Sequence, residues 1–155
     1  MNDPRGRPSL DDIDKAIIEQ LQHDGRRPYT HIARQVGLSE AAVRQRVQRL
    51  IESGVMQIVA VTDPKSVGFL RQAMIGVKVT GDVMRVADAL AALPEVEYVV
   101  VTAGAFDLLV EVVVEDDEGL LDLLNGKIRR LDGVQMTETF IYLHIHKETY
   151  QWGTR

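Results

Sequence analysis

YTHIARQVGLSEAAVRQRVQRLIES, residues 29–53, is the stretch on which the reading of the fold turns. Ile32, Ala33 and Val36 give a short first helix an apolar face, and Gly37 follows where the backbone must turn sharply. Leu38 plugs the corner. Ser39 suits the N-cap of a second helix, its hydroxyl able to satisfy a free N–H of the next turn, with Glu40 beside the positive end of the helix dipole. Val43, Val47 and Leu50 recur at i, i+4 and i+7, so one side of this helix packs inward. At about 100° per residue, Ala41, Gln45, Gln48 and Arg49 fall on the opposite side, flanked by Arg44 and Arg46. Small alanines let such a helix approach a major groove, and Arg and Gln can make bidentate contacts to guanine and adenine edges. Ser39, Ala41, Arg44, Gln45, Arg46, Gln48 and Arg49 are therefore the expected DNA-contacting set, although a solvated amphipathic helix would show the same polar face.

Upstream, Ser9 and Asp12 form a capping-box-like start, Ile13, Ile17 and Leu21 make a stripe, and Asp24-Gly25 ends it, so three helices can enclose a small core. Ahead of them, Pro4-Arg5-Gly6-Arg7-Pro8 has the form of an AT-hook core, in which Arg5 and Arg7 would reach along a narrow A·T minor groove. A plain N-terminal tail stiffened by prolines fits the same five residues.

Composition sets the class. With 155 residues and 45% hydrophobic content, the chain has room for one domain or two small ones with real cores. The absence of cysteine excludes a disulfide framework, a thiol nucleophile and a cysteine metal site. No apolar leader opens the sequence and no run is long enough to span a bilayer, so a cytoplasmic protein without a membrane partner is expected. The net charge of −5 argues against nucleic acid until the chain is divided after Val55. The first part holds nine Lys/Arg against eight Asp/Glu, for +1, and the rest nine against fifteen, for −6. Acidity lies away from the proposed DNA module, and binding would rest on the local arginines multiplied by oligomerisation.

Val55 to Thr62 reads as a strand, broken by Asp63-Pro64 and Gly68. Ala73, Ile75, Val77 and Val79 then alternate as a strand does, and Asp82 can cap a helix whose stripe is Val83, Val86, Ala87, Leu90 and Leu93. Val96 to Thr102 and the alternating Phe106, Leu108, Val110, Val112 and Val114 form a predicted hairpin. Glu115 to Glu118 open a second helix ending at Lys127, Arg129 and Arg130, and Val134 to His146 is a long last strand. The order strand, helix, strand, strand, helix, strand is the ferredoxin-like split βαβ motif. The expected class is α+β: an N-terminal winged-type helix-turn-helix joined to a C-terminal ferredoxin-like βαββαβ domain. Its expected divisions are an arm over 1–9, the helix-turn-helix over 10–55, a strand and linker over 56–70, and the ferredoxin-like domain over 71–155.

LDDIDKAIIEQLQHDGR, VGLSEAAVRQRVQRL, GVMQIVAVTDP, GAFDLLVEV and the closing TETF, in this order, resemble the Lrp/AsnC family of bacterial and archaeal transcription regulators from about Leu10 to Lys147. The resemblance implies dimers that pair their sheets face to face and often assemble into octamers, double-stranded DNA as partner, and an amino acid or related small molecule as effector. No catalytic cofactor is expected. It places the effector site at Thr102, Ala103, Gly104, Ala105, Phe106 and Asp107, with Thr137 and Thr139 on the last strand as neighbours. A zwitterion needs N–H donors for its carboxylate and an acceptor for its ammonium, which a small-residue loop and Asp107 can supply. Many members read Gly-Asp-Phe-Asp here, whereas this chain has Gly104-Ala105-Phe106-Asp107 and lacks one negative charge. That departure keeps open a ligand-independent architectural DNA-binding protein. A third reading is an enzyme similar to siroheme decarboxylases, recruiting His144 or His146. Those two histidines share a strand face but lack a third ligand at a recognised spacing, so no metal is expected.

Overall fold

The computed structural model describes residues 9–155. Arg5 and Arg7, and with them the expected minor-groove arm, lie outside the described residues. The remaining chain divides into two compact units, one running to Val61 and taking in Lys147–Arg155, the other Thr62–His146.

In the first unit, α1 (Asp12–His23), α2 (Tyr29–Val36) and α3 (Glu40–Glu52) follow the apolar periodicity. The start of α1 lies two residues beyond the expected one. Asp11, rather than Ser9, is the N-cap, and it makes a reciprocal capping box with Asp14, whose short carboxylate serves where Glu or Gln is usual. Gly37 closes α2 in the left-handed conformation at φ 70°, and Ser39 accepts a hydrogen bond from the Ala42 N–H at 3.2 Å. Ile17, Ile18, Leu21, Ile32, Ala33, Val43, Val47 and Leu50 are the buried core.

The expected strand over Val55–Thr62 is not formed: the segment is irregular, and Ile58, Val59 and Val61 are exposed. The alternation is real, but a strand exists only when a neighbour accepts its hydrogen bonds, and no strand among the described residues pairs with it. The helices therefore carry no wing among the described residues. A further difference concerns Lys147–Arg155, expected with the ferredoxin-like part. Gln22 donates from Nε2 to the Gly153 carbonyl at 3.4 Å and accepts from the Gly153 N–H at 3.0 Å, and the Thr154 hydroxyl donates to Glu19 at 2.5 Å. These bonds hold the tail on α1.

The second unit is the expected ferredoxin-like arrangement. Its elements are β1 (Arg71–Val79), α4 (Val83–Ala91), β2 (Val96–Val101), β3 (Leu108–Val114), α5 (Asp117–Asp122) and β4 (Val134–Ile141). The sheet is antiparallel in the order β2-β3-β1-β4. Asp82 and Asp116 cap the two helices through their carboxylates. α5 runs on as a widened π turn over Leu123–Lys127 and a tight turn over Ile128–Arg130. Asn125 and Gly126, both poor helix formers, sit in the widened turn. β4 stops at Ile141, short of the expected His146, because β1 supplies no partner beyond Ala73 except the Gln72 carbonyl, which accepts the Tyr142 N–H.

Alternation along the strands gives the sheet two different faces. Ala73, Ile75 and Val77 join Leu108, Val110, Val112, Val86, Leu90, Leu123 and Ile128 in a core with little or no exposure. The other face carries Gln72, Met74, Gly76 and Lys78 on β1, opposite Glu111 and Leu109 on β3 and Met136, Glu138 and Phe140 on β4. No element of the unit covers it, and Tyr98, Met136 and Phe140 stand about half exposed there.

Candidate DNA interface and effector loop

Capping and core packing fix α3 so that Ala41, Arg44, Gln45 and Gln48 are exposed together. Arg44 pairs with Glu40 at 2.7 Å and lies over the Tyr29 ring at 5.3 Å, and Gln48 donates to Glu52 at 2.8 Å. Such surface contacts exchange cheaply for a stronger partner. Ser39, exposed at the helix start, uses its hydroxyl as the cap.

Arg46 and Arg49 have another task. Asp14 is only 1% exposed, and Arg46 and Arg49 both donate to it at 2.7 Å, with Arg46 also bonded to Asp11 at 2.7 Å. The Asp11 carboxyl is held below its ordinary value first by the Asp14 N–H and then by Arg46. The Arg46 guanidinium is raised by its bonds to Asp11 and then Asp14. These two arginines, read from helical phase as part of the groove-facing set, anchor α3 to α1. Helical phase gave no sign of it, because Asp14 belongs to a different helix. The signal available was an acidic residue one position after Ile13 in the core stripe of α1.

The 102–107 loop joins β2 to β3 and folds back onto β1. Thr102 Oγ1 donates to the Phe106 carbonyl at 2.5 Å, the Thr102 N–H to the Asp107 carbonyl at 2.9 Å, and the Asp107 N–H to the Val77 carbonyl at 3.0 Å. Asp107 accepts the Val79 N–H at 2.8 Å and faces Lys78 at 3.3 Å. It is first a fastener of the loop. A carboxylate has about four acceptor sites, so capacity remains for a ligand ammonium. The Val79 N–H, and after it Lys78, hold the Asp107 carboxyl below its ordinary value of 3.8. Because the folded value is the lower one, this fastening is fully present above the ordinary value and fades as pH falls through the lowered one. The Val79 amide should thus keep constant protection across the neutral range and lose it only in acid below pH 3.8, which amide exchange against pH will check. Ala103, Gly104 and Ala105 are exposed beside it.

Thr137 and Thr139 are not brought to the same side. They pair with Val77 and Ile75, whose side chains enter the helix-covered core, and Thr137 accepts from Arg129 at 2.9 Å. Phe106 lies on the opposite, open face, against Gly76 and Phe140. The neighbours of the loop on β4 are thus the even-numbered Glu138 and Phe140, one residue out of phase with the threonines. Period-two alternation contained this choice, but not which face the loop turns toward.

Elsewhere on that face, Gln72 donates to Glu111 at 2.9 Å. The Tyr142 phenol is pushed up to about 12 by burial and then by Glu111. The His144 and His146 rings stand 6.1 Å apart, edge to face. Among the described residues no three His, Asp or Glu side chains gather as a metal site, and no helix is long and apolar enough to cross a membrane.

Residues 10–51 match the AsnC-type helix-turn-helix domain and residues 72–152 the Lrp/AsnC ligand binding domain. The HTH-type transcriptional regulator FL11 of Pyrococcus furiosus is 40% identical over 142 residues, covering 90% of this chain and 93% of the relative. The feast or famine regulatory protein of M. tuberculosis, solved with L-methionine, superposes with a TM-score of 0.83 at 31% identity, over 94% of this chain and 100% of that one. A transcriptional regulator from Neisseria meningitidis, also in complex with L-methionine, has a TM-score of 0.80 at 26% identity, over 92% and 96% of the two chains. Relatives of this kind are regulators, which sets aside the decarboxylase reading. With both halves matched in order along one chain, this protein belongs to the Lrp/AsnC family of transcriptional regulators.

Proposed function

We propose that the protein works as a symmetric dimer, assembled further toward an octamer, that reads a palindromic DNA site through Ala41, Arg44, Gln45 and Gln48 and responds to an amino acid bound at the 102–107 loop. The open sheet face is the observation that carries this reading. Met74, Met136, Phe140 and Tyr98 form an apolar surface with no cover from the described elements of their own unit, and a second copy supplies a matching one. A two-fold partner also brings a second α3 to a second half-site. Glu111, Gln72 and Tyr142 give the same face a polar spot that fixes how two copies align. L-methionine is the first ligand to try, since two structural neighbours were solved with it. The exposed small-residue loop supports recognition of a zwitterion through backbone N–H groups, with Asp107 and Glu138 as acceptors for the ammonium. The absent charge at Ala105 means that the ligand need not be the same.

Light scattering should give at least twice the 17.3 kDa chain mass at micromolar concentration, and a stable monomer would refute the assembly. Thermal melts with each of the twenty L-amino acids test the sensor. A ligand at a hundredfold excess over its Kd adds about 2.7 kcal/mol of stability. A mobility shift on the protein's own upstream region, with and without the amino acid that stabilises it, connects the two. If no amino acid changes either stability or DNA binding, the ligand-independent architectural role is the correct one.

A further inference from the structure

Gly76 lies in the middle of β1, where glycine weakens a strand and marks the close approach of another group. That group is Phe106. A Cβ placed on Gly76 would stand 2.5 Å from Phe106 Cδ2, 2.6 Å from Cγ and 2.7 Å from Cε2. Those separations are far inside van der Waals contact, and they involve the root of the ring rather than a movable tip. The ring therefore occupies the space that any other residue at position 76 would fill. Phe140 of β4 meets the same ring edge to face, with centroids 6.3 Å apart and planes at 75°, a favourable aromatic geometry. Behind the ring, the chain is tied by the Thr102, Asp107 and Val79 hydrogen bonds.

We propose that Gly76 and Phe140 form a seat for the Phe106 ring that sets the conformation of the 102–107 loop, making them positioning residues for the amino-acid site. This rests on the effector reading of that loop. Phe140 is 45% exposed on the open sheet face, so one ring touches both the loop and the surface offered to a second copy. A ligand that draws the loop away from β1 unseats Phe106 and alters that surface. A ligand that fits the seated loop stabilises it. Either differential contact is enough to couple occupancy to assembly.

The test is Gly76→Ala, read by hydrogen exchange and mass spectrometry over the peptides holding Val79, Thr102 and Asp107. The added methyl and the seated ring cannot coexist, and close-packed groups give by switching arrangement rather than by compressing. Exchange at those amides should rise at least roughly tenfold. The amino acid that stabilises the wild-type chain should bind at least roughly tenfold more weakly. In the double variant Gly76→Ala/Phe106→Ala, which removes Cγ together with the ring, the clash is gone and the two effects should not add: exchange should match that of Phe106→Ala alone, a coupling that general loss of folding cannot produce. Wild-type exchange in Gly76→Ala, or additive effects in the double variant, overturns the seat. If Gly76→Ala fails to fold, Phe106→Ala empties the seat without adding bulk and must raise the same exchange rates, or the proposal is wrong. Should no amino acid bind the wild-type chain while the exchange changes and their failure to add are observed, the effector reading fails and the seat stands.

Discussion

Replacing Asp14 by Ala should cost the helical unit about 3 kcal/mol, lowering its melting transition by roughly 10–20 °C. Asp14 is 1% exposed and receives both Arg46 and Arg49 at 2.7 Å, so its removal unties α3 from α1 in a single step. It also takes away the side chain that completes the capping box of α1. The cost stays near the lower end for a broken buried pair because Arg49, 57% exposed, can turn to water. Arg46, at 25%, cannot do so as readily, and Arg46→Ala should therefore destabilise more than Arg49→Ala. Thermal unfolding followed by circular dichroism at the helical signal measures all three. A loss below about 1 kcal/mol for Asp14→Ala would class this cluster with ordinary surface bridges.

The second large effect is on DNA. Arg44→Ala and Gln45→Ala should each remove roughly 1–3 kcal/mol of base discrimination while leaving the melting transition where it is, because bidentate contacts to base edges carry sequence information and neither side chain is in the core. The Arg44 partners, Glu40 and the Tyr29 ring, are surface groups that release it at little cost. Competition mobility shifts with base-substituted versions of the upstream site separate lost discrimination from lost affinity. Undiminished discrimination in both variants would take these residues out of the interface. Arg46→Ala serves as the contrast, since its defect should follow stability and not the base sequence.

The sequence made the three helices and the βαββαβ order legible because each rests on local periodicity, capping and turn chemistry, and these agree with the final packing. Asp82, Ser39 and Gly37 occupy the positions their chemistry demands. What stayed hidden was relational. Arg46 and Arg49 have the right helical phase for a groove, yet a buried carboxylate on another helix claims them. Thr137 and Thr139 have the right polarity for a binding site, yet one residue of phase puts them on the core side of the sheet. Val55–Thr62 alternates as a strand does, but alternation says nothing about whether a neighbouring strand is there to bond with. The tail after His146 joins the helical unit through a side-chain amide that pairs with backbone, and such a contact leaves no periodic trace.

That tail turns the order of the chain into a matter of timing. In terms of connectivity the ferredoxin-like unit is an insertion: the helical unit begins before it and receives its last piece after it. A ribosome adding roughly 5–20 residues per second exposes α1 to α3 well before Gly153 and Thr154 have been made. The three helices can collapse on their own core in that interval, but the Gln22 and Glu19 contacts must wait until the whole inserted sheet has emerged. The final covering of α1 is therefore a late event in biosynthesis. A bulky fusion joined directly after Arg155 would burden the DNA-reading half of the molecule, although by sequence it is attached to the other end.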